Sequence, residues 1–199
     1  MIAIVDYGAG NLDSVAKAFA WLGYAVEVTS TPEVVTAADK IVLPGVGHFS
    51  ALSNLARTGL ATAVLNGLHS GKPFLGICLG MQWLFDGSDE SPGIPGAGVF
   101  SGICRRFPPA VKSPHVGWNS VVTQPDSHLL RNVGREAFVY YSHSFHAPVI
   151  TSTTAESDYG LPFSAVVERD NIFGVQFHPE KSGDLGLSIL ETFCEMRAC

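Results

Sequence analysis

A chain of 199 residues, 46% hydrophobic and only 15% charged, is long enough for one well-buried domain, expected to run from 1 to 199. Its formal net charge of −6, with Lys and Arg scattered along the chain, excludes the basic footprint of a nucleic-acid-binding protein or of attachment to an anionic membrane. So small a charged fraction calls either for a large buried sheet or for a partner that covers apolar surface.

The chain enters a strand at once, Ile2 to Val5, with no basic region and apolar core of a signal peptide before it. Asp6-Tyr7-Gly8-Ala9-Gly10-Asn11 then forms a turn, and an amphipathic helix is expected from Leu12 to Leu22 with Asn11 as its cap. Further strands follow at Ala25 to Val28 and Lys40 to Leu43, the second running into the glycine loop Pro44-Gly45-Val46-Gly47. Helical patterns over Phe49 to Leu55 and Leu60 to Leu68 lead to a strand at Phe74 to Ile77. Alternation of apolar strands with helices predicts an α/β fold of three layers, a mostly parallel central sheet flanked by helices.

From Val99 the pattern turns strand-rich: Val99 to Phe107, Val116 to Val122, Phe138 to Tyr141, Ser164 to Arg169 and Ile172 to Gln176, the additional antiparallel strands of the second half. Asp170-Asn171 reads as the hairpin turn between the last two. Gly93 to Gly98 and Pro108 to Pro114 are loops, and Leu187, Leu190, Phe193 and Cys194 mark a closing helix over Asp184 to Met196. No apolar run reaches the roughly 18 residues of a membrane span. Four dispersed cysteines, Cys78, Cys104, Cys194 and Cys199, point to free thiols in a reducing cytoplasm.

The chemistry concentrates in Gly76-Ile77-Cys78-Leu79-Gly80, a Gly-x-Cys-x-Gly segment between an expected strand and an expected helix. That is the form of a nucleophile elbow, where a reactive side chain is displayed on a sharp turn. A helix starting after Cys78 favours its thiolate through unpaired amides, and the Leu79 amide is placed to meet an oxyanion. Standing alone, a cysteine ending an apolar strand is more often a small core residue. His178-Pro179-Glu180 adds an imidazole with a carboxylate two positions on, which in extended chain fall on one side, so the carboxylate orients the base. The loop Pro44 to Gly47 is either a plain strand-to-helix turn or the source of a second oxyanion amide, at Gly47.

These motifs, in this order, resemble class I glutamine amidotransferases. Asp6 to Asn11, the valine-containing glycine loop with His48-Phe49, Gly117-Trp118-Asn119, Tyr140 to Phe145 and Lys181-Ser182 resemble, within that family, the glutaminase subunits of imidazole glycerol phosphate synthase. The resemblance implies a Cys78-His178-Glu180 triad that hydrolyses L-glutamine, with Gly47 and Leu79 as backbone oxyanion donors. It places glutamine against Gly47, Gln82, Ser142, His143 and Ser144. It also implies a heterodimer with a (β/α)₈ cyclase subunit, met by Asn11, Trp118 and Lys181. The cyclase joins the ammonia to N'-phosphoribulosylformimino-AICAR-phosphate, giving imidazole glycerol phosphate and AICAR. Free ammonia at neutral pH is mostly protonated and no longer nucleophilic, so a sealed passage between subunits preserves its reactive form.

On the residues alone, Trp118 fits its own core as well as a partner, and Lys181 fits a solvated cation. Val116, Ser142 and Phe145 depart from the methionine, valine and tyrosine common at those places in the family, which bears on partner contacts more than on the triad. No cofactor is expected: Gly8-Ala9-Gly10 lacks the third glycine of a dinucleotide loop. His143 and His146, with no paired cysteines, fall short of a zinc site, so no metal is expected. A paralogous pair supplying ammonia for sugar amidation, a non-catalytic binding module and a stand-alone cysteine hydrolase are the competing readings.

Overall fold

Residues 1–198 are described by a computed structural model; Cys199, expected as a free thiol, lies outside the described residues. Strands β1 (Ile2–Val5), β2 (Val26–Thr29), β3 (Lys40–Gly45) and β4 (Phe74–Cys78) alternate with helices α1 (Leu12–Trp21), α2 (Pro32–Ala37), α3 (Ser53–Arg57) and α4 (Leu60–His69). A short helix, α5 (Leu79–Trp83), follows β4 directly. The second half supplies β5 (Gly87–Ser88), β6 (Ile103–Arg106), β7 (His115–Thr123), β8 (Glu136–His143), β9 (Phe145–His146), β10 (Thr153–Asp158), β11 (Pro162–Arg169) and β12 (Ile172–Val175), then helix α6 (Gly183–Glu195).

Nine strands form one sheet in the order β2-β1-β3-β4-β12-β11-β10-β7-β8. The run from β2 to β12 is parallel and everything beyond β12 is antiparallel. The inner parallel strands β1, β4 and β12 are buried along their whole length because both faces are covered, whereas the edge strand β2 exposes Glu27 and Val28. In β1, Ile2 and Ile4 pack with Val15 and Phe19 of α1 and with Phe193 of α6, while Ala3 and Val5 belong to the opposite core with Val64 and Leu68 of α4. Helices on both faces complete the three layers.

Four expectations are corrected by this architecture. The strand expected over Val99 to Phe107 shrinks to Ile103–Arg106, since Gly98 and Gly102 adopt positive φ and the Phe100 amide is drawn to the Leu84 carbonyl. Phe49 to Leu55 divides into a 3-10 turn at Phe49–Leu52 and then α3. Asn11 stands at the start of α1 but its side chain makes no capping bond; its carbonyl accepts from the Val15 amide. Helix α2 and strand β10 add to the expected elements.

Candidate active site

All the chemistry sits at the carboxyl ends of the parallel strands, where an open α/β sheet leaves a crevice at its change of strand order. Strand β1 leads to Tyr7, β3 ends in the glycine loop, β4 ends at Cys78, and β12 leads to His178. Register brings Gly45 opposite Cys78 and Val175 opposite Ile77, so sites distant in sequence become neighbours.

The turn at Cys78 is tight enough to need its glycines. Cys78 has φ of +53°, a conformation costly for a side chain unless its surroundings fix it. A Cβ at Gly76 would lie 2.6 Å from the Gly80 carbonyl oxygen, and one at Gly80 would overlap the Leu43 carbonyl oxygen. Helix α5 can therefore start immediately after Cys78. Leu79, its first residue, has an amide with no partner inside the helix. The Cys78 thiol lies 3.9 Å from the Ser142 carbonyl oxygen, to which it donates, and the Gln176 side-chain amide donates to Sγ at 3.6 Å.

His178 is held by main-chain bonds: its amide donates to the Tyr140 carbonyl at 2.8 Å, and its carbonyl accepts from Ser182 Oγ at 2.7 Å. The Glu180 side chain reaches His178 Nδ1 through Oε1 at 2.9 Å, with both side chains 1% exposed. The link is not made by extended chain, as expected, because Pro179 opens a 3-10 turn, Pro179–Lys181, that folds Glu180 back under the imidazole. Burial alone would lower the His178 pKa, but negative charge at Cys78 and the Glu180 carboxylate outweigh it and push it up to about 10. Nε2, the ring nitrogen left free by Glu180, is buried without a hydrogen-bond partner. It is the atom available for proton transfer at the sulfur.

A cavity of about 190 Å³ opens beside Cys78 and is lined by Gly47, Leu79, Gln82, Glu90, Pro114 and the segment from Ser142 to Phe145. Every expected oxyanion and glutamine-binding residue thus meets at one cavity. Gly47, at φ of +102°, has open space around its Cα. Two of these residues offer less than their side chains suggest. Both His143 ring nitrogens are engaged, with the Phe145 carbonyl and with His115. Gln82 Nε2 donates to the Phe145 carbonyl at 2.8 Å and to Gln176 Oε1 at 3.1 Å. A larger cleft, of about 590 Å³ between Val122 and Arg135, is lined by neither thiol nor imidazole.

Asn11, Trp118 and Lys181 do not line the cavity. Trp118 is 57% exposed and meets the Tyr140 ring edge-on at 6.2 Å, while the Lys181 ammonium sits 5.7 Å from the same ring. Trp118 is therefore not a core residue, and Val116 and Phe138 extend the exposed apolar surface of β7 and β8 around it.

Sequence reasoning passed over Glu90 and Gln176. Glu90 is the one carboxylate lining the cavity, and it is held there by the Phe49 amide, which donates to Oε2 at 2.7 Å. Gln176 stands two residues before His178, and that spacing was the available signal.

The sequence profile of the family "Glutamine amidotransferase class-I" matches residues 3–196. The chain belongs to the class I glutamine amidotransferases. Among curated members, an "Imidazole glycerol phosphate synthase subunit HisH" of Methanothermobacter thermautotrophicus is 48% identical over 198 residues, covering 98% of both chains. Proteins of the same name from Deinococcus radiodurans and Caldanaerobacter subterraneus are 44% identical, over 96% of this chain and 92% of that one, and 43% identical over both chains in full. Among solved amidotransferase structures, "Crystal structure of glutamine amidotransferase" superposes with a TM-score of 0.76 at 16% identity, covering 98% of this chain and 100% of the other. PurLQS from Thermotoga maritima gives 0.74 at 18% identity, over 97% and 96%. At such identities these structures speak for the class I amidotransferase fold. No helix among the described residues is long and apolar enough to cross a membrane.

Proposed function

We propose that Cys78, His178 and Glu180 carry out glutamine hydrolysis in this chain, and that the ammonia goes to a cyclase subunit. The chain is a glutaminase subunit of imidazole glycerol phosphate synthase, in the line of its HisH relatives. The observation that carries the assignment of roles is the buried His178–Glu180 pair at 2.9 Å beside a cysteine on a strained elbow that opens on the cavity.

In this reading Cys78 attacks the carboxamide carbon of glutamine, and the developing oxyanion takes hydrogen bonds from the Leu79 and Gly47 amides. His178 protonates the leaving nitrogen, ammonia departs, and a glutamyl thioester stays on Cys78. Water activated by the same imidazole then releases glutamate. Glu180 holds His178 in the tautomer that leaves Nε2 facing the reaction. Glu90 and Gln82 Oε1, both acceptors, suit the α-ammonium group of glutamine, and backbone N–H groups of the segment from Ser142 to Ser144 suit its α-carboxylate.

Delivery to a cyclase rests on the apolar face of Trp118, Val116 and Phe138 next to Lys181, a surface that a (β/α)₈ partner in the cytoplasm would cover. Asn11, at the start of α1, belongs to the same docking surface. Sugar amidation is disfavoured, since relatives at 43–48% identity across the whole length carry the HisH name. The test is labelling with a glutamine-analogue electrophile, followed by co-purification with the cyclase and assay with and without its nucleotide substrate. Modification at Cys78 that glutamine prevents, and hydrolysis stimulated in the complex, are expected. An unreactive Cys78 would sink the assignment of the nucleophile.

A further inference from the structure

Behind the cavity, two buried histidines that the triad chemistry does not use lie in a continuous hydrogen-bonded chain. The Phe145 carbonyl can only accept, so His143 Nδ1, 2.8 Å away, carries a proton. In a neutral imidazole this leaves His143 Nε2 as an acceptor, and His115 Nδ1 stands 3.0 Å from it and must donate. His115 Nε2 then accepts from Asn119 Nδ2 at 3.4 Å, and the same amide group donates to the Asp158 carbonyl at 2.9 Å. Hydrogen bonding therefore runs one way, from Asn119 to Phe145.

Both rings are packed among aromatic neighbours. His115 is stacked between Tyr141 at 4.8 Å and Tyr159 at 4.0 Å, and His143 meets Phe107 edge-on at 5.2 Å. Burial keeps both uncharged, lowering His115 to about 4 and, against the hydrogen bond to the Phe145 carbonyl that favours the charged form, His143 to about 3. At its far end the chain meets the site. The Phe145 carbonyl also accepts from Gln82 Nε2, which bonds Gln176 Oε1, whose own Nε2 donates to Cys78 Sγ.

We infer that Asn119, His115 and His143 form a directional relay, with both imidazoles neutral and protonated on Nδ1, that positions the Phe145 carbonyl and, through Gln82 and Gln176, the sulfur of Cys78. His143 is thus a positioning residue for the glutaminase reaction and not a side-chain ligand of glutamine. The inference rests on Cys78 being the nucleophile.

Two measurements test it. In ¹⁵N spectra of the wild-type chain at pH 7, the His115 and His143 rings should both show a protonated Nδ1 and an unprotonated Nε2. A protonated Nε2 on either ring overturns the relay. In the complex, His143→Gln keeps one donor and one acceptor while His143→Phe keeps the aromatic bulk and neither. His143→Gln should retain glutamine hydrolysis within about threefold, and His143→Phe should lower kcat/KM by at least about tenfold, the equivalent of one lost hydrogen bond. If packing alone mattered among Phe107 and Phe163, phenylalanine would do as well as glutamine or better, and that order overturns the proposal. Should Cys78→Ala leave hydrolysis intact, the nucleophile assignment falls while the tautomers still report on the histidines.

Discussion

Two glycine-bearing turns face each other at the ends of the neighbouring strands β3 and β4, and they are built on opposite terms. At the elbow, Gly76 and Gly80 are demanded by backbone atoms that a methyl group would strike, and Cys78 is buried in a strained conformation between them. At the glycine loop, residues 46 to 48 are exposed and no atom lies within 4 Å of where a Gly47 Cβ would stand. Packing that over-determines a backbone fixes it, whereas an exposed loop with a flexible hinge moves easily. The proposed nucleophile is thus set in place by the fold, while the proposed second oxyanion donor is left free to reorient. We propose that control of glutamine hydrolysis belongs to the loop and that the cyclase and its ligand act there, keeping the isolated chain a weak glutaminase.

The largest effect expected from breaking this contrast is at the nucleophile. Cys78→Ala should lower glutamine hydrolysis by about 10⁴-fold or more, as removal of a catalytic nucleophile does. Synthesis from added ammonia by the complex should continue, because no step of it passes through the sulfur. Loss of both activities would make Cys78 a structural residue.

The same substitution at two glycines separates the turns. Gly80→Ala forces a methyl group into the Leu43 carbonyl, a backbone atom that cannot step aside, and should cost about 3 kcal/mol or more in denaturant unfolding. Gly47→Ala meets nothing, so its stability cost should stay at about 1 kcal/mol from the positive φ. It should nevertheless reduce glutaminase turnover in the complex by about 10²-fold, the usual effect of misplacing one oxyanion donor. Equal melting losses for the two variants would erase the distinction between a locked turn and a free one.

The Gly-x-Cys-x-Gly segment, the His178–Glu180 pair and the glycine loop stood out in the sequence because each is local: residue types at short, fixed spacing around a turn. The parallel half was legible too, since strands covered on both faces are apolar throughout. Strand β10 escaped notice because its buried positions include Thr154 and Ser157, which leave no apolar alternation, and α2 is too short for a helical period to show. Gln176 looked like one more residue of a core strand. Its spacing from His178 was a local hint, but its contact with Cys78 comes from β12 lying beside β4, a pairing across about a hundred residues. Glu90 was one of 18 acidic residues until folding brought it to the cavity.

The fixed side of the contrast also has a pH signature. His178 has its pKa raised from 6.5 to about 10, so its charged form stabilises the folded chain fully below pH 6.5, and that contribution is lost as pH rises through about 10. The stability gap between wild type and His178→Gln should accordingly narrow from pH 6.5 to 10. Imidazole shifts in NMR should show His178 still charged at pH 8, and titrating at lower pH in Cys78→Ala. A gap that stays flat across this window would mean that the imidazole is not held charged by its neighbours.

The smallest effect tests the hinge of the movable loop. Tyr7 is buried, its hydroxyl has no partner, and a Cβ at Gly45 would overlap that oxygen, so the phenol is wedged against the strand from which the loop departs. Burial first, then negative charge at Cys78, raises its pKa and keeps it neutral. An unpaired buried hydroxyl costs about 1–3 kcal/mol in desolvation, and phenylalanine has the same shape without that cost. Tyr7→Phe should therefore raise the unfolding free energy by about 1 kcal/mol, read from the denaturation midpoint at unchanged slope. A loss of stability would show that the hydroxyl does find a partner in solution, and the Gly45 peptide packed against it would be the group to examine. The base of the loop would then be tied down like the elbow, and freedom to move would begin only beyond Gly45.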